Sequence, residues 1–359
     1  MESGLVMLQQ EKDIIAEAAR QLTICNACRY CEGYCDVWDA IEIRREFSPH
    51  DVLHLANLCH DCRDCFYACP YIPPHEFAIN IPKIMKESRM ISYKQFVFPK
   101  AFRWILDRFA QTYFILTFLI FLALMTYVVF LHGATIFYKS YLPMQLLFPP
   151  YIFLLLEYSM YAYVFILWYI EGSKYWKYIS KGAKVEIKSV FKALGDVFLH
   201  KNFRGGGTGC AYPYDKGNYF RLVAHALVMF GFIIDWVGIL FYPFVSLSFI
   251  LLYLLGSLMM FAGSVTLLIM SGLADKNVDT EGISSFSGAF LLLSVSGILF
   301  FLFLPTPTWT IFFLIRVSSV GSIFLLAPFS KFIHPIFRFL SLVWNRQEWA
   351  MQQKVMHAP

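Results

Sequence analysis

Eight of the nine cysteines stand in two runs of matching spacing near the N-terminus, Cys25-x2-Cys28-x2-Cys31-x3-Cys35 and Cys59-x2-Cys62-x2-Cys65-x3-Cys69, the second followed at once by Pro70. This is the spacing with which thiolates hold two [4Fe–4S] clusters: three sit on a tight turn, and the fourth is set apart and ligates the other cluster. The pattern assigns Cys25, Cys28, Cys31 and Cys69 to a first set and Cys59, Cys62, Cys65 and Cys35 to a second. Zinc sites also use paired Cys-x2-Cys steps, and disulfides would draw on the same residues. Zinc, however, rarely needs four cysteines in one short run, twice over. Two clusters mean one-electron chemistry.

The elements that must carry these residues divide sharply by composition. The 359-residue chain is 58% hydrophobic and 15% charged, with a mean hydropathy of +0.55, whereas soluble domains carry about 25% charged residues. The charge is concentrated before residue 110, and long apolar stretches follow. This predicts an all-α protein with a helical two-cluster, ferredoxin-like head on a six-helix transmembrane bundle. The expected domains are a head over 1–92, a juxtamembrane linker over 93–112, a membrane domain over 113–331 with a basic loop at 172–219, and a tail over 332–359. The polar start, MESGLVMLQQEKDIIAEAAR, has no apolar core of a signal peptide. The head is therefore expected to stay on the side where thiols remain reduced.

Six spans are expected, at Tyr113–Leu131, Leu147–Ile170, Phe220–Tyr242, Phe244–Met270, Phe286–Leu304 and Trp309–Phe329, each close to the roughly 20 residues needed to cross the hydrocarbon. The basic residues of the linker, the loop after the second span, the loop at Lys276 and the tail all fall on one side. By the positive-inside rule that side is the cytoplasm of a cell-membrane protein, with head and both termini there. Within the head, Val37, Ile41, Val52, Leu55 and Leu58 recur at helical spacing, and Ser48-Pro49-His50-Asp51 reads as a helix start. Tyr30, Tyr34, Trp38, Phe66 and Tyr71 are expected to shield the clusters, and Asn80-Ile81-Pro82-Lys83 to close the domain. The linker Asn80–Gln111 lets either cluster face the membrane.

Three ionisable residues fall inside spans: Glu157, Asp235 and Arg316. Unpaired charge in a bilayer is costly, so Arg316 is expected to pair with Asp235 or Glu157, as a structural ion pair or as a polar cluster occupying the place of a haem. His225 and His334 lie at the cytoplasmic ends of their spans, at compatible depth for one bis-His haem or for hydrogen bonding to quinone. Residues 172–204 hold seven Lys and one Arg interleaved with Trp176, Ile179, Phe191 and Leu194. They read as amphipathic helix on an anionic lipid leaflet, with an acidic protein partner as the alternative and nucleic acid excluded by the membrane setting. The run Gly205–Gly209 lacks the strand and Lys-Ser/Thr of a phosphate loop and is expected to fold against the head, with Cys210 a buried free thiol.

The head sequence, with Cys59-His60-Asp61-Cys62, Tyr67-Ala68-Cys69-Pro70 and His75-Glu76-Phe77, resembles the CitB/TcuB family of membrane iron–sulfur proteins of tricarballylate and citrate utilisation. The resemblance returns at Gly205–Cys210, around His225 and at Lys331-Phe332-Ile333-His334. It implies a subunit that accepts electrons from a flavoprotein dehydrogenase and passes them through two [4Fe–4S] clusters to membrane quinone, with haem b in the membrane part. Where it implies a further histidine in the last span, this chain has Leu314-Ile315-Arg316-Val317, and an arginine has no lone pair for iron. Leu142-Pro143-Met144 or Phe148-Pro149-Pro150 stands where another would lie. The chain carries no flavin fingerprint and no catalytic residue of its own, so substrate oxidation falls to the partner. A heterodisulfide-reductase-like subunit serving a thiol or disulfide partner, and a zinc-stabilised membrane scaffold, remain as alternatives.

Overall fold

The computed structural model describes residues 8–139, 147–205, 209–240, 247–278 and 285–356. Among these it contains thirteen α-helices joined by turns and short 3-10 segments, and an isolated bridge between Cys210 and Asn218. The head begins with α1 (Gln9–Cys28), α2 (Asp36–Glu42), α3 (Pro49–Leu58), α4 (Asp64–Tyr67) and α5 (Ile81–Phe96). Helix α1 buries Ile15, Ala18, Leu22 and Cys25, the three-to-four spacing of one face, and ends where Arg29 turns left-handed at φ 56°. Helix α3 starts as its sequence dictates: Ser48 accepts from the Asp51 amide, the Asp51 side chain reaches back to the Ser48 amide, and Pro49 fills the first turn. Asn80 caps α5, accepting from the Lys83 amide at 3.1 Å. Rather than closing the head, the Asn80–Lys83 segment thus opens a helix that runs across the expected limit at residue 92 and packs on α1 and α3.

The membrane part is formed by α6 (Phe109–His132), α7 (Pro150–Ile179), α9 (Phe220–Leu240), α10 (Leu247–Leu273), α11 (Ser285–Phe303) and α12 (Trp309–Leu326). Among the described residues, five of these are long and apolar enough to span a bilayer. The remaining expected span coincides with α7, where Tyr151, Tyr158, Tyr161, Tyr163, Tyr169 and Glu157 dilute the apolar run while Leu155, Leu156, Phe165 and Ile166 stay exposed on its outer side. This is a membrane protein. Helices α9 and α10 meet at glycines: a side chain on Gly231 would run into the Gly256 carbonyl, and one on Gly263 into Ala224 and Val228. Such small-residue contacts let spanning helices approach closely where no hydrophobic drive exists between them. Helix α12 lies innermost, burying Leu314, Arg316, Ser318, Ser319 and Ser322.

The segment after the last span is not a free tail. It forms α13 (His334–Met356), which packs against α3, α7 and α8 (Ile187–Phe198). Phe337 stacks on Tyr175 with ring centroids 4.3 Å apart and planes 6° from parallel, and the Tyr175 hydroxyl is 2.6 Å from Ser341 Oγ. Leu342, Val343 and Trp344 join the same core as Leu22, Val52 and Ile84. The head is therefore closed by the end of the chain and by the upper turns of α7. Truncating Phe337 to Ala removes the centre of this contact and is expected to cost about 3–5 kcal/mol. A thermal unfolding scan of the detergent-solubilised protein checks this: an unchanged midpoint would return α13 to the status of a tail.

Candidate metal centre

The two cysteine runs curl because individual residues accept left-handed backbone: Arg29 (φ 56°), Asp61 (φ 53°) and Arg63 (φ 68°). Curling turns the thiols of each run inward, and the fourth cysteine of each crosses to the other. Cys25, Cys28, Cys31 and Cys69 line one recess with Tyr30, Trp38 and Tyr71, and Cys65 reaches it too. Cys35, Cys59, Cys62 and Cys65 line a second with Tyr34 and Trp38. Phe66 is buried beside them, edge-on to Tyr67. Among the described residues no three His, Cys, Asp or Glu side chains converge closely enough for a single metal ion. The thiols ring two recesses, the arrangement a multi-atom cluster requires.

Electrostatics calls for a bound cation, whichever metal supplies it. Burial, then Cys69 and Cys28, pushes the Cys31 thiol up to about 12, and burial, then Cys59, pushes Cys35 up to about 12. Thiols crowded in this way ionise only against a coordinated cation. Backbone amides already aim at the sulfurs, Asp61 N at Cys59 Sγ and Tyr71 N at Cys69 Sγ, each at 3.4 Å. The residues present fit two iron–sulfur clusters. The two cavities differ in what borders them. Cys28 and Tyr30 are exposed at the rim of the first, whereas the second lies against the ends of the membrane helices. Arg221, at the start of α9, donates to the Asp61 carbonyl, and the loop after α10 holds the head through Tyr67 Oη to Asp275 Oδ2 at 3.1 Å and Asn80 Nδ2 to the Val278 carbonyl at 2.9 Å.

At this seam four histidines gather. His225 and His334 have ring centroids 6.4 Å apart with planes at 73°. His200, which no sequence pattern tied to the site, joins them with Nε2 at 3.2 Å from His225 Nδ1, and His60 lies edge-on to Phe203, which in turn packs on His225. The Nδ1 atoms of His60, His200 and His334 lie 2.8, 3.2 and 2.9 Å from backbone carbonyls. Pinned in this way, Nδ1 carries the hydrogen and Nε2 keeps its lone pair, the arrangement that metal-ligating histidines use. Burial holds all three below the ordinary histidine range, aided at His60 and His334 by Arg338.

Of the glycine run, Gly205 packs beside Asp64, which lies between Cys62 and Cys65, and Gly209 packs on Asn218. A side chain at Gly205 would collide with the Asp64 carboxylate, and one at Gly209 (φ 98°) with the Asn218 backbone. Asp64 Oδ1 also accepts from the Ala211 amide at 2.7 Å. Residues 206–208 lie outside the described residues, as does the Leu142-Pro143-Met144 segment. Cys210 is a buried free thiol whose Sγ donates to the Phe203 carbonyl at 3.1 Å.

Inside the bundle, Arg316 pairs with Asp235. It also donates to the Leu293 carbonyl and lies over the Tyr253 ring at 4.9 Å, while Asp235 Oδ1 accepts from Ser257 Oγ at 3.3 Å. Glu157 is not part of this pair: its Oε1 accepts from Tyr161, one turn along its own helix, at 2.6 Å. Its second oxygen, Oε2, is buried with no hydrogen-bond partner among the described residues.

Comparison with known proteins agrees with this geometry. A family model described as the citrate utilization protein B Fer4-like domain matches residues 18–95, and one described as citrate utilization protein B matches residues 159–354. Citrate utilization protein B of Escherichia coli is 29% identical over 360 residues, which cover 94% of this chain and 93% of that protein. No solved structure matches.

Replacing Arg316 by Leu strands a buried carboxylate and is expected to cost about 3–5 kcal/mol. The double change R316L/D235L is expected to recover most of that loss, because well-packed apolar side chains can stand in for a buried pair. Thermal unfolding of the single and double variants checks this, and equal losses in both would mean that the two residues do not act as a pair.

Proposed function

The chain belongs to the citrate utilization protein B family, and on that premise we propose that it is a membrane-anchored electron-transfer subunit. It would take electrons from a flavoprotein dehydrogenase on the cytoplasmic side and deliver them to membrane quinone. The observation that carries this reading is the pair of cysteine-lined cavities, one opening at the rim through Cys28 and Tyr30, the other set against the ends of the membrane helices.

Bound in these cavities, two [4Fe–4S] clusters supply one-electron uptake and release. The chain's own residues do the rest. The eight thiolates hold the iron. The Asp61 and Tyr71 amides donate to ligand sulfurs, which stabilises added negative charge. Trp38, buried between both cavities, keeps water out. The exposed rim at Cys28 and Tyr30 offers the partner flavoprotein its closest approach. On the membrane side, His225 and His334 are the residues that would hold haem b, with their outward nitrogens fixed by His200 and by the Lys331 carbonyl.

The cytoplasmic placement of the head is supported by charge: the lysines of residues 172–204 lie on the same side of the bundle as the cysteines, as the positive-inside rule expects. Helix α8 would add lipid contact. It exposes Ile187, Phe191 and Phe198 beside Lys188 and Lys192, and Phe198 packs on Phe230 of the spanning helix α9. Exposed apolar residues interleaved with lysines support a reading of this helix as one that lies on an anionic leaflet.

The test is the dithionite-reduced minus air-oxidised visible spectrum of anaerobically purified protein. A broad bleach is expected from the clusters and a sharp α-band with a Soret shift from haem. His225→Ala and His334→Ala should each remove the sharp band and leave the bleach. Absence of any redox-dependent change would overturn the electron-transfer reading.

A further inference from the structure

The two cysteine sets stand in unlike electrostatic surroundings. No charged side chain lines the Cys25 set: its walls are cysteine, Ile24, Tyr30, Trp38, Pro70, Tyr71, Ile79 and Ile81. The Cys59 set is ringed by charge. Its two lining carboxylates are already matched, Asp36 by Lys201 at 3.5 Å and Arg346 at 3.4 Å, and Asp61 by Arg63 at 3.7 Å and Arg221 at 3.8 Å. Two further guanidinium groups then converge on the backbone of a ligand residue. Arg89 of α5 donates to the Ala56 carbonyl at 2.8 Å and to the Cys59 carbonyl, and Arg338 of α13 donates to the same Cys59 carbonyl at 2.8 Å. Among the described residues neither pairs with a carboxylate, and Arg338 Nε is buried with no hydrogen-bond partner.

A plainer role is to cap the C-terminus of α3, whose last carbonyls these are. A helix C-terminus offers about half an elementary negative charge, against two full positive charges that arginine never gives up. The excess has no protein counter-charge, and two like charges brought together at low dielectric repel strongly. What balances them has to be anionic, and the point where both meet is the Cys59 carbonyl.

We propose that Arg89 and Arg338 are the counter-charges of the cluster held by the Cys59 set, and that they make it the higher-potential, electron-receiving centre of the pair. This rests on the two-cluster reading above. Positive charge at the ligand backbone favours the reduced form there, while the apolar walls of the Cys25 set give no such help. One electron from a reduced flavoprotein enters at the Cys28 rim, leaving the rim centre oxidised again as the inner centre becomes reduced. From there it departs to quinone at the membrane seam. The arginines are positioning residues for charge and touch no substrate.

The test is an anaerobic redox titration of the full-length protein, followed by electron paramagnetic resonance, for R89Q, R338Q and the double variant. The signal that Cys62→Ala abolishes identifies the inner centre. It is expected to titrate at lower potential in the double variant by at least tenfold in its oxidised-to-reduced ratio, or 59 mV for a one-electron couple, while the rim signal stays in place. R338K keeps the charge but not the guanidinium fork, and should stay near the wild-type potential. Full iron content with both midpoints unmoved would overturn the proposal and leave the arginines as caps. Equal movement of both signals, or a fall in R338K as large as in R338Q, would overturn it too. If the double variant loses iron, R338Q and R338K alone decide. Absence of cluster signals from the unaltered protein would instead remove the two-cluster reading beneath it.

Discussion

Neither cysteine run can complete its own set, and most of the head follows from that. Cys35 must reach across to Cys59, Cys62 and Cys65, and Cys69 must reach back to Cys25, Cys28 and Cys31. The two runs therefore have to lie side by side, separated by little more than Trp38, with eight thiols held around cavities rather than packed against one another. A core that contains two cavities cannot be stabilised from within, so its walls must be braced from outside. Helices α1, α3 and α5 provide one brace, and α13 with the upper turns of α7 provides the other.

The same logic of compensated burial recurs in the membrane part. Arg316 is tolerated at the centre of the bundle because Asp235, the Leu293 carbonyl and the face of Tyr253 absorb its charge, and because Gly297 leaves room for the guanidinium. Glu157 is served only in part, by a tyrosine one turn away that donates to one of its oxygens while the other stays unpartnered among the described residues.

Much of this was legible in the residues. Cysteine spacing pointed to iron–sulfur chemistry in the head, because the geometry of a cluster dictates the spacing. Ser48-Pro49-His50-Asp51 announced a helix start because capping is a local interaction. Arg316 demanded a partner because unpaired charge in lipid is costly, but helix periodicity could not say which carboxylate would face it. The rest was invisible for a common reason. Helix α13 read as a tail because its apolar residues have meaning only against Tyr175 and the head, which are far away in sequence. His200 stood out no more than any histidine in a lysine-rich loop. Arg89 and Arg338 are 249 positions apart by their numbers in the chain and meet only at the Cys59 carbonyl. Asn80-Ile81-Pro82 looked like an ending because proline opens helices as readily as it stops them.

Helix α7 has a mechanical consequence. It runs unbroken for 30 residues, about 45 Å at the α-helical rise, from the lipid-facing Tyr151 to Tyr175 and Trp176 in the core of the head. The head is consequently mounted on a rigid mast and not hung from a hinge, and it cannot swing between an electron donor and the bilayer as a tethered shuttle would. The gap between the inner cysteine set and the membrane is a fixed dimension of the fold. Inserting one residue into α7 would lift Tyr175 by about 1.5 Å and turn it by about 100° away from Phe337. The length of this helix is therefore constrained as tightly as the identity of its residues, and variation in size among such proteins should fall in the connecting loops.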